Sequence, residues 1–109
     1  MYYEVRWDFA ADGRLSDLVR CMDEIVVPLH VEMGVEVVAT FVDHAGGAYV
    51  WLRRFAGDVE KEEALSRVHG NGRWQTDVLP SLRPLLSSHP ATMVRLEPTP
   101  GSPLTTDSC

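Results

Sequence analysis

The sequence is poor in lysine and short of positive charge. Lys61 is the only lysine among ten basic residues, and sixteen acidic residues bring the formal net charge to −6. A nucleic-acid surface needs clustered positive charge to displace counterions, so this balance argues against a nucleic-acid partner. We interpret the almost exclusive use of arginine first as a coding bias and only secondly as a sign of a chemical role for these residues.

Cysteine and long apolar runs are also scarce. The two cysteines, Cys21 and Cys109, cannot form a disulfide framework, and Cys21 is expected to be a small buried hydrophobe in a helix. No apolar run approaches the roughly 18 residues that cross a membrane. Residues 1–4 lead directly into a strand pattern and lack the features of a targeting segment. We therefore expect a cytoplasmic protein that has no membrane partner.

A chain of 109 residues suits one domain with a modest core. The hydrophobic fraction of 45% and the charged fraction of 24% are ordinary for a globular protein, so they do not suggest disorder. We predict a single domain over residues 1–97. The stretch that begins with Pro98-Thr99-Pro100-Gly101 predicts a flexible C-terminal tail over residues 98–109.

Periodicity places four strands and two main helices. Strand patterns cover residues 2–9, 35–42, 48–55 and 92–97. One helix pattern starts at a cap that is either Asp12 or Ser16 and runs to about Met33, and the other covers residues 58–69. Shorter helical turns are predicted near Pro80 and Pro84. The order β-α-β-β-α-β predicts an α+β, ferredoxin-like fold with a four-stranded antiparallel sheet.

The strands carry apolar residues on both sides. In the first strand Glu4, Arg6 and Asp8 alternate with Tyr3, Val5, Trp7 and Phe9. If helices cover one side of the second strand (Val35, Val37, Ala39, Phe41), the uncovered side of the sheet still carries Val38, Val42, Val50 and Leu52. An exposed apolar face of this size marks an interface. We therefore expect an isologous homodimer that packs sheet against sheet.

The segment that joins the first helix to the second strand combines a proline with a histidine. The helix has one core-facing stripe at helical spacing, formed by Leu15, Leu18, Met22, Ile25, Val26, Leu29 and Met33. Pro28 removes the amide that would bond to Glu24, so we expect a kink or local unwinding. His30 falls at the edge of the stripe, where it can face a cleft between helix and sheet. Gly34 then ends the helix.

His30 is the leading catalytic candidate. Its ordinary pKa of ~6.5 suits a general acid or base, and partial burial favours the neutral, proton-accepting imidazole. The alternative is a structural histidine that bonds a backbone carbonyl. Candidate substrate-binding residues around it are Tyr3, Trp7, Phe41, Tyr49, Trp51, Trp74 and Arg53. For the aromatic residues, ordinary core or interface packing is the alternative.

Most other polar residues are expected to be structural. Four strand arginines have carboxylates near enough to pair with, namely Arg6, Arg53, Arg54 and Arg95 with Glu4, Asp8, Glu36 or Glu97. An arginine without such a partner would be a candidate for stabilising an enolate or phenolate. The four histidines share no metal-ligand spacing, so we predict no metal site. No serine belongs to a hydrolase motif.

Several segments resemble the NIPSNAP family in order and spacing. They are Tyr3-Glu4-Val5-Arg6, Pro28-Leu29-His30 with Gly34, Trp51 to Phe55 with Gly57, the acidic residues 60–63, and residues 74–75, 79–86 and 95–100. The similarity spans residues 2 to 100 and implies a dimeric α/β-barrel. Asp8 departs from the family pattern, because relatives often carry an aromatic residue near that place. The wider superfamily is similar to cofactor-free quinone-forming monooxygenases, polyketide cyclases, lactone isomerases and haem-handling enzymes.

The residues and the resemblance together predict a small-molecule-binding homodimer with a mainly apolar pocket. We expect a cofactor-independent enzyme of secondary metabolism that transfers a proton through His30 on an aromatic or polyketide-type metabolite. Cyclisation or isomerisation is favoured over monooxygenase-like chemistry because proton transfer needs only a base and a polarising donor. The alternatives are a non-catalytic NIPSNAP-type binding or interaction protein and, third, a haem-handling protein.

Overall fold

The computed structural model describes residues 1–104. The strands are β1 (Tyr2–Phe9), β2 (Glu36–Asp43), β3 (Ala48–Phe55) and β4 (Thr92–Leu96). The helices are α1 (Leu15–Cys21), α2 (Val27–Glu32), α3 (Asp58–His69) and α4 (Leu79–Leu82), with π-helical segments at Met22–Val26 and Trp74–Val78 and a 3₁₀ turn at Arg83–Leu85. The strands form one antiparallel sheet in the order β2-β3-β1-β4. This order confirms the predicted ferredoxin-like fold.

The first helix unwinds locally just before its proline. Between α1 and α2 the Val27 amide donates to the Met22 carbonyl, five residues back, which is the spacing of a π-helix. Pro28 follows at once, so the expected unwinding is present. Leu18, Met22, Val26 and Leu29 are buried against the sheet, whereas Ile25 is 42% exposed because the π turn removes it from the stripe.

Gly34 ends the first helix as predicted. Its φ is +99°, its amide donates to the Val31 carbonyl over 3.1 Å, and the next amide, of Val35, donates to the His30 carbonyl over 2.9 Å. These two bonds form a Schellman motif, which satisfies the last carbonyls of the helix and turns the chain into β2.

A β-bulge changes which side chains of β2 face the helices. The register shifts between Val37 and Ala39, and beyond it Ala39 lies opposite Leu52 and Phe41 lies opposite Val50. Residues that pair directly share a face of the sheet, so Ala39 and Phe41 lie on the side away from the helices. The assignment of these two residues to the helix-covered side is wrong because the extra residue of the bulge inverts the alternation.

The helices pack on the face of the sheet that carries Tyr2, Tyr49, Trp51 and Phe55. On β1 this same face carries Glu4, Arg6 and Asp8, whose direct partners on β3 are Arg53, Trp51 and Tyr49. The charged side of β1 therefore points into the protein, and Glu4 and Asp8 are only 5% and 7% exposed.

We call the other side of the sheet the open face. It carries Tyr3, Val5, Trp7, Phe9, Ala39, Phe41, Val50, Leu52, Val94 and Leu96. Phe41 is 56% exposed and Leu96 45% exposed. Tyr3 is nevertheless buried, and its hydroxyl donates to the carbonyl of Leu104 over 2.5 Å. Residues 105–109 of the predicted tail lie outside the described residues. No helix in the described part of the chain has the length and hydropathy to cross a membrane.

Candidate functional site

A cavity of about 90 Å³ lies between the first helix, α3, the second π segment and the helix-covered face of the sheet. Its walls combine aromatic and aliphatic side chains with five titratable groups, and they are formed by Arg6, Asp8, Met22, Val26, His30, Trp51, Arg53, Leu65, His69, Trp74 and Leu82. His69 is exposed, so the cavity reaches the surface beside it. Four residues predicted for the site meet here: His30, Trp51, Arg53 and Trp74.

His30 is buried and held in one orientation. Its Nδ1 lies 2.8 Å from the carbonyl oxygen of Val26, and its ring meets Trp51 and Trp74 edge-on, with centroids 5.0 and 5.7 Å away. A carbonyl only accepts hydrogen bonds, so Nδ1 carries the proton and the neutral ring keeps its lone pair on Nε2.

The Nε2 atom of His30 faces the cavity. In residues 1–104, Arg53 Nε is the only side-chain nitrogen or oxygen that is both fully buried and without a hydrogen-bond partner. His30 Nε2 makes no hydrogen bond within the same residues, so it must lie at the cavity surface. The backbone bond of the structural alternative is thus present at one nitrogen, and the catalytic role of the other nitrogen stays a prediction.

Burial is the main cause that lowers the pKa of His30 to about 4, and the positive charges of Arg53 and Arg6 act in the same direction because they repel an imidazolium. The hydrogen bond to the Val26 carbonyl opposes this shift. At neutral pH the imidazole is therefore uncharged and able to accept a proton.

Arg53 is the most deeply buried charge beside the cavity, at 2% exposed. It pairs with Glu4, which also accepts a hydrogen bond from Lys61. Burial raises the pKa of Glu4, but its bonds to Lys61 and Arg53 outweigh that effect and hold the pKa below its usual value. The guanidinium also stacks over Trp51, with its central carbon 4.8 Å from the ring centroid. Its Nε has no hydrogen-bond partner within the part of the chain that the structure describes.

Asp8 organises the other polar wall of the cavity. It accepts a hydrogen bond from the Trp51 indole over 2.9 Å and pairs with Arg6 over 3.1 Å. Asp8 thus positions Trp51, which contacts both His30 and Arg53. Three predicted arginine pairs are present, with Arg6, Arg53 and Arg54, whereas Arg95 pairs with Asp58 at 3.3 Å.

The other predicted binding residues lie away from the cavity. Tyr3, Trp7 and Phe41 are on the open face, on the far side of the sheet. Tyr49 lies on the helix-covered face, but it is buried in the core and its hydroxyl donates to Asp23. Sheet alternation separates the first three from His30, and no wall of the cavity includes any of the four.

Sequence reasoning missed Arg6, Asp8 and His69 as cavity residues. The alternation in β1 was visible, but nothing local indicated that its charged side would face the helices. The only available signal was that carboxylates and arginines on neighbouring strands could pair, as Glu4 of β1 and Arg53 of β3 do. Within the described range, no group of three His, Cys, Asp or Glu side chains is arranged to hold a metal ion.

No family model and no curated protein matches this chain in sequence. Solved structures do match in fold. One is a NIPSNAP family protein with unknown function from Agrobacterium tumefaciens, with 22% identity, a TM-score of 0.84, and coverage of 96% of this chain and 94% of that one. Another is an uncharacterised NIPSNAP domain protein from Burkholderia xenovorans, with 16% identity, a TM-score of 0.81, and coverage of 94% and 99%.

The chain has the NIPSNAP fold. The resemblance found in the sequence is thereby confirmed at the level of the fold. An antibiotic biosynthesis monooxygenase matches more distantly, with 17% identity, a TM-score of 0.61, and coverage of 92% of this chain and 100% of that one. The NIPSNAP fold thus shares its ferredoxin-like framework with a protein named for oxidative chemistry. At these identities the comparisons concern the fold alone.

Proposed function

We propose that this protein binds a small molecule in the His30 cavity and is a cofactor-independent enzyme, a cyclase or isomerase, on an aromatic or polyketide-type metabolite. The observation that carries the proposal is the fixed tautomer of His30, whose Nδ1–H donates to the Val26 carbonyl and whose Nε2 lone pair is left free in a residue that lines the cavity. A base in one orientation can remove a proton from an activated carbon of a bound substrate and return it at another position.

Arg53 and Arg6 support the same chemistry. Removing a proton next to a carbonyl produces an enolate or phenolate, and the arginine cations that line the cavity can stabilise such charge. Trp51 and Trp74 offer flat apolar walls for a conjugated ring system. The proposed reaction therefore needs only groups that this chain supplies.

The size of the cavity limits what can react inside it. Pockets that bind drug-sized ligands measure roughly 300 Å³ or more, whereas this cavity measures about 90 Å³. We propose that the reacting end of the metabolite enters between Trp51 and Trp74 and that its remainder extends past His69 at the mouth.

The proposed assembly is a homodimer joined through the open face, which would give a dimeric α/β-barrel. The open face carries exposed apolar side chains from its two outer strands, including Phe41, Val94 and Leu96. A flat apolar sheet face is self-complementary, because a two-fold axis lays it on an identical surface. We also propose a reducing, cytoplasmic setting, since Cys21 is a buried free thiol.

The test is solvent-deuterium exchange into a 1,3-dicarbonyl probe such as 2,4-pentanedione, followed by proton NMR in the presence of a chelator. The wild-type protein is expected to accelerate exchange, and His30→Gln is expected to lose at least roughly a hundredfold in rate, the contribution of a positioned base. His44→Gln, in the exposed β2–β3 turn, is the matched control and keeps the wild-type rate. An equal rate in His30→Gln would remove His30 from the mechanism.

One observation favours the alternative, a non-catalytic binding protein. The burial and cations that keep His30 neutral also destabilise the imidazolium that must form after proton removal. A base with a pKa of about 4 suits catalysis only if the bound anion restores that pKa. A binding protein has no such requirement, and it predicts ligand binding without any exchange.

A further inference from the structure

The chain beyond β4 returns to the open face, and we call residues 98–104 the strap. Leu96 of β4 pairs directly with Tyr3 of β1. Further along the chain, the carbonyl of Leu104 accepts a hydrogen bond from the hydroxyl of the same Tyr3. The side chain of Tyr3 projects from the open face, so its partner Leu104 lies on that side of the sheet.

A turn inside the strap brings Leu104 back to Tyr3. The amide of Ser102 donates to the carbonyl of Thr99 over 3.0 Å, and the hydroxyl of Ser102 accepts a hydrogen bond from the amide of Leu104 over 3.1 Å. Three of the seven residues of the strap are prolines, which fix φ and reduce the number of conformations of the free segment. Less conformational entropy is therefore lost when the strap binds.

Tyr3 is buried because the strap covers it. Val5, Trp7 and Phe9 lie on the same strand and the same face, and all three are half-buried. Tyr3 is only 5% exposed, and its partner Leu96 on the neighbouring strand is exposed. The position of Tyr3 in the sheet does not explain this difference, whereas its contact with the strap does.

The opposite end of the open face is uncovered. A cavity of about 280 Å³ lies there, lined by Trp7, Phe9, Asp43, Thr92 and Val94. Four of these five residues come from β1 and β4, the two strands whose other ends lie beside the strap. A second copy therefore finds an apolar surface at this end, and the strap in its way at the Tyr3 end.

The strap occupies space that a sheet-to-sheet dimer needs. Sheets that pack face to face lie about 10 Å apart, and side chains from both sheets fill that space. The strap lies at the tip of the Tyr3 side chain, so its main chain takes the place of side chains from a partner.

We infer that the strap and a second copy of this chain compete for the Tyr3 end of the open face. Each protomer releases its strap when the homodimer forms, and the strap thereby limits the affinity of the dimer. The inference rests on the proposed homodimer and adds the segment that regulates it. It gives Tyr3 a role as the anchor of the strap.

The test measures the dissociation constant of the dimer by sedimentation velocity on dilution series of full-length proteins. Tyr3→Phe removes the hydroxyl that holds the strap and keeps the ring. One neutral hydrogen bond contributes roughly a factor of three to ten in an equilibrium constant. Because each dimer releases two straps, Tyr3→Phe should lower the dissociation constant about tenfold or more.

A second variant separates the strap from the surface beneath it. Ser102→Ala removes the acceptor that orients Leu104 and belongs to the strap, not to the sheet. It should also lower the dissociation constant, because it loosens the strap without changing the open face. A change in Tyr3→Phe alone would assign the effect to the surface chemistry of Tyr3 and overturn the inference.

Tyr2→Phe is the matched control. It removes the hydroxyl of the adjacent tyrosine, which donates to Asp58 over 2.9 Å on the helix-covered side of the sheet. The dissociation constant should stay within about twofold of the wild-type value. An equal decrease in this control would show that the loss of any tyrosine hydroxyl favours the dimer, which would also overturn the inference.

The remaining outcomes separate this inference from the proposed homodimer. A wild-type monomer with dimeric strap variants would leave the inference standing and refute the wild-type homodimer. Dimers with equal or higher dissociation constants in both strap variants would do the reverse. Monomers in every protein across the whole dilution series would overturn both.

Discussion

At the scale of single residues, burial determines the charge of His30. The folded protein holds its pKa near 4, whereas an unfolded chain gives a value near 6.5. Between these values the unfolded state binds a proton and the folded state does not. The stability contributed by neutral His30 is therefore complete above about pH 6.5 and is lost as the pH falls towards 4.

This lowered pKa predicts a pH-dependent difference between the wild-type protein and His30→Gln. From pH 7 to pH 4 the wild type should lose roughly 3 kcal/mol more of its free energy of unfolding than the variant, which has no imidazole to protonate. Urea unfolding at four pH values measures the difference.

The contributions of the other titratable groups around His30 to the pH dependence of stability cancel when the two proteins are compared. Arg6, Arg53, His69, Asp8 and the neighbouring Glu4 are present in both proteins. If the two stability curves stay parallel from pH 7 to pH 4, His30 is not a buried neutral histidine.

At the scale of elements, the two π segments recur in the same local context. In each, the residue before a proline donates its amide to a carbonyl five residues back: Val27 to Met22 before Pro28, and Leu79 to Trp74 before Pro80. A proline cannot donate its own amide, and the wider turn accommodates this defect. These two segments carry Met22, Val26 and Trp74 into the cavity wall.

The Schellman motif at Gly34 is the element that fixes the end of the His30 helix. Gly34→Ala should lower the free energy of unfolding by roughly 1–2 kcal/mol, because a residue with a Cβ is strained at a φ of +99°. The new Cβ would also come 2.9 Å from Nη2 of Arg67, but that flexible side chain can move. Chemical denaturation measures the loss.

Gly72→Ala is the matched control for this substitution. Gly72 lies at the start of the second π-containing helix, and nothing lies within 4 Å of a Cβ added there. Alanine is the better helix former, so this change should be neutral or stabilising. An equal loss of unfolding free energy in both variants would show that the positive φ of Gly34 is not the cause of the destabilisation.

At the scale of the whole molecule, the open face makes the oligomeric state testable. The wild-type protein should have the mass of a dimer by light scattering at micromolar concentration. Phe41→Glu should convert it to a monomer, because two charges related by the two-fold axis would be buried in the interface.

Val59→Glu is the control for this change of charge. Val59 is 64% exposed on α3, on the helical side of the molecule, so its replacement should leave the dimer intact. A wild-type protein with the mass of one chain would refute the proposed homodimer, and the open face would then need another explanation.

The amino-acid sequence was enough to predict the order of the elements, the break at Pro28, the end of the helix at Gly34 and, apart from Ile25, the buried stripe of the first helix. These features depend on local backbone chemistry and on periodicity within one segment. The position of His30 at the edge of the stripe followed from the same periodicity.

The side of each strand that faces the helices depends on contacts between segments that are far apart in the sequence. The bulge in β2 moves Ala39 and Phe41 to the open face, and the charged side of β1 faces the helices instead of the solvent. Both features depend on how β1 and β2 pair with β3. The Glu4–Arg53 pair stabilises charges that burial alone would exclude. Pairing across strands therefore separated Trp7 and Phe41 from the cavity and brought His30, Arg53 and Trp51 together.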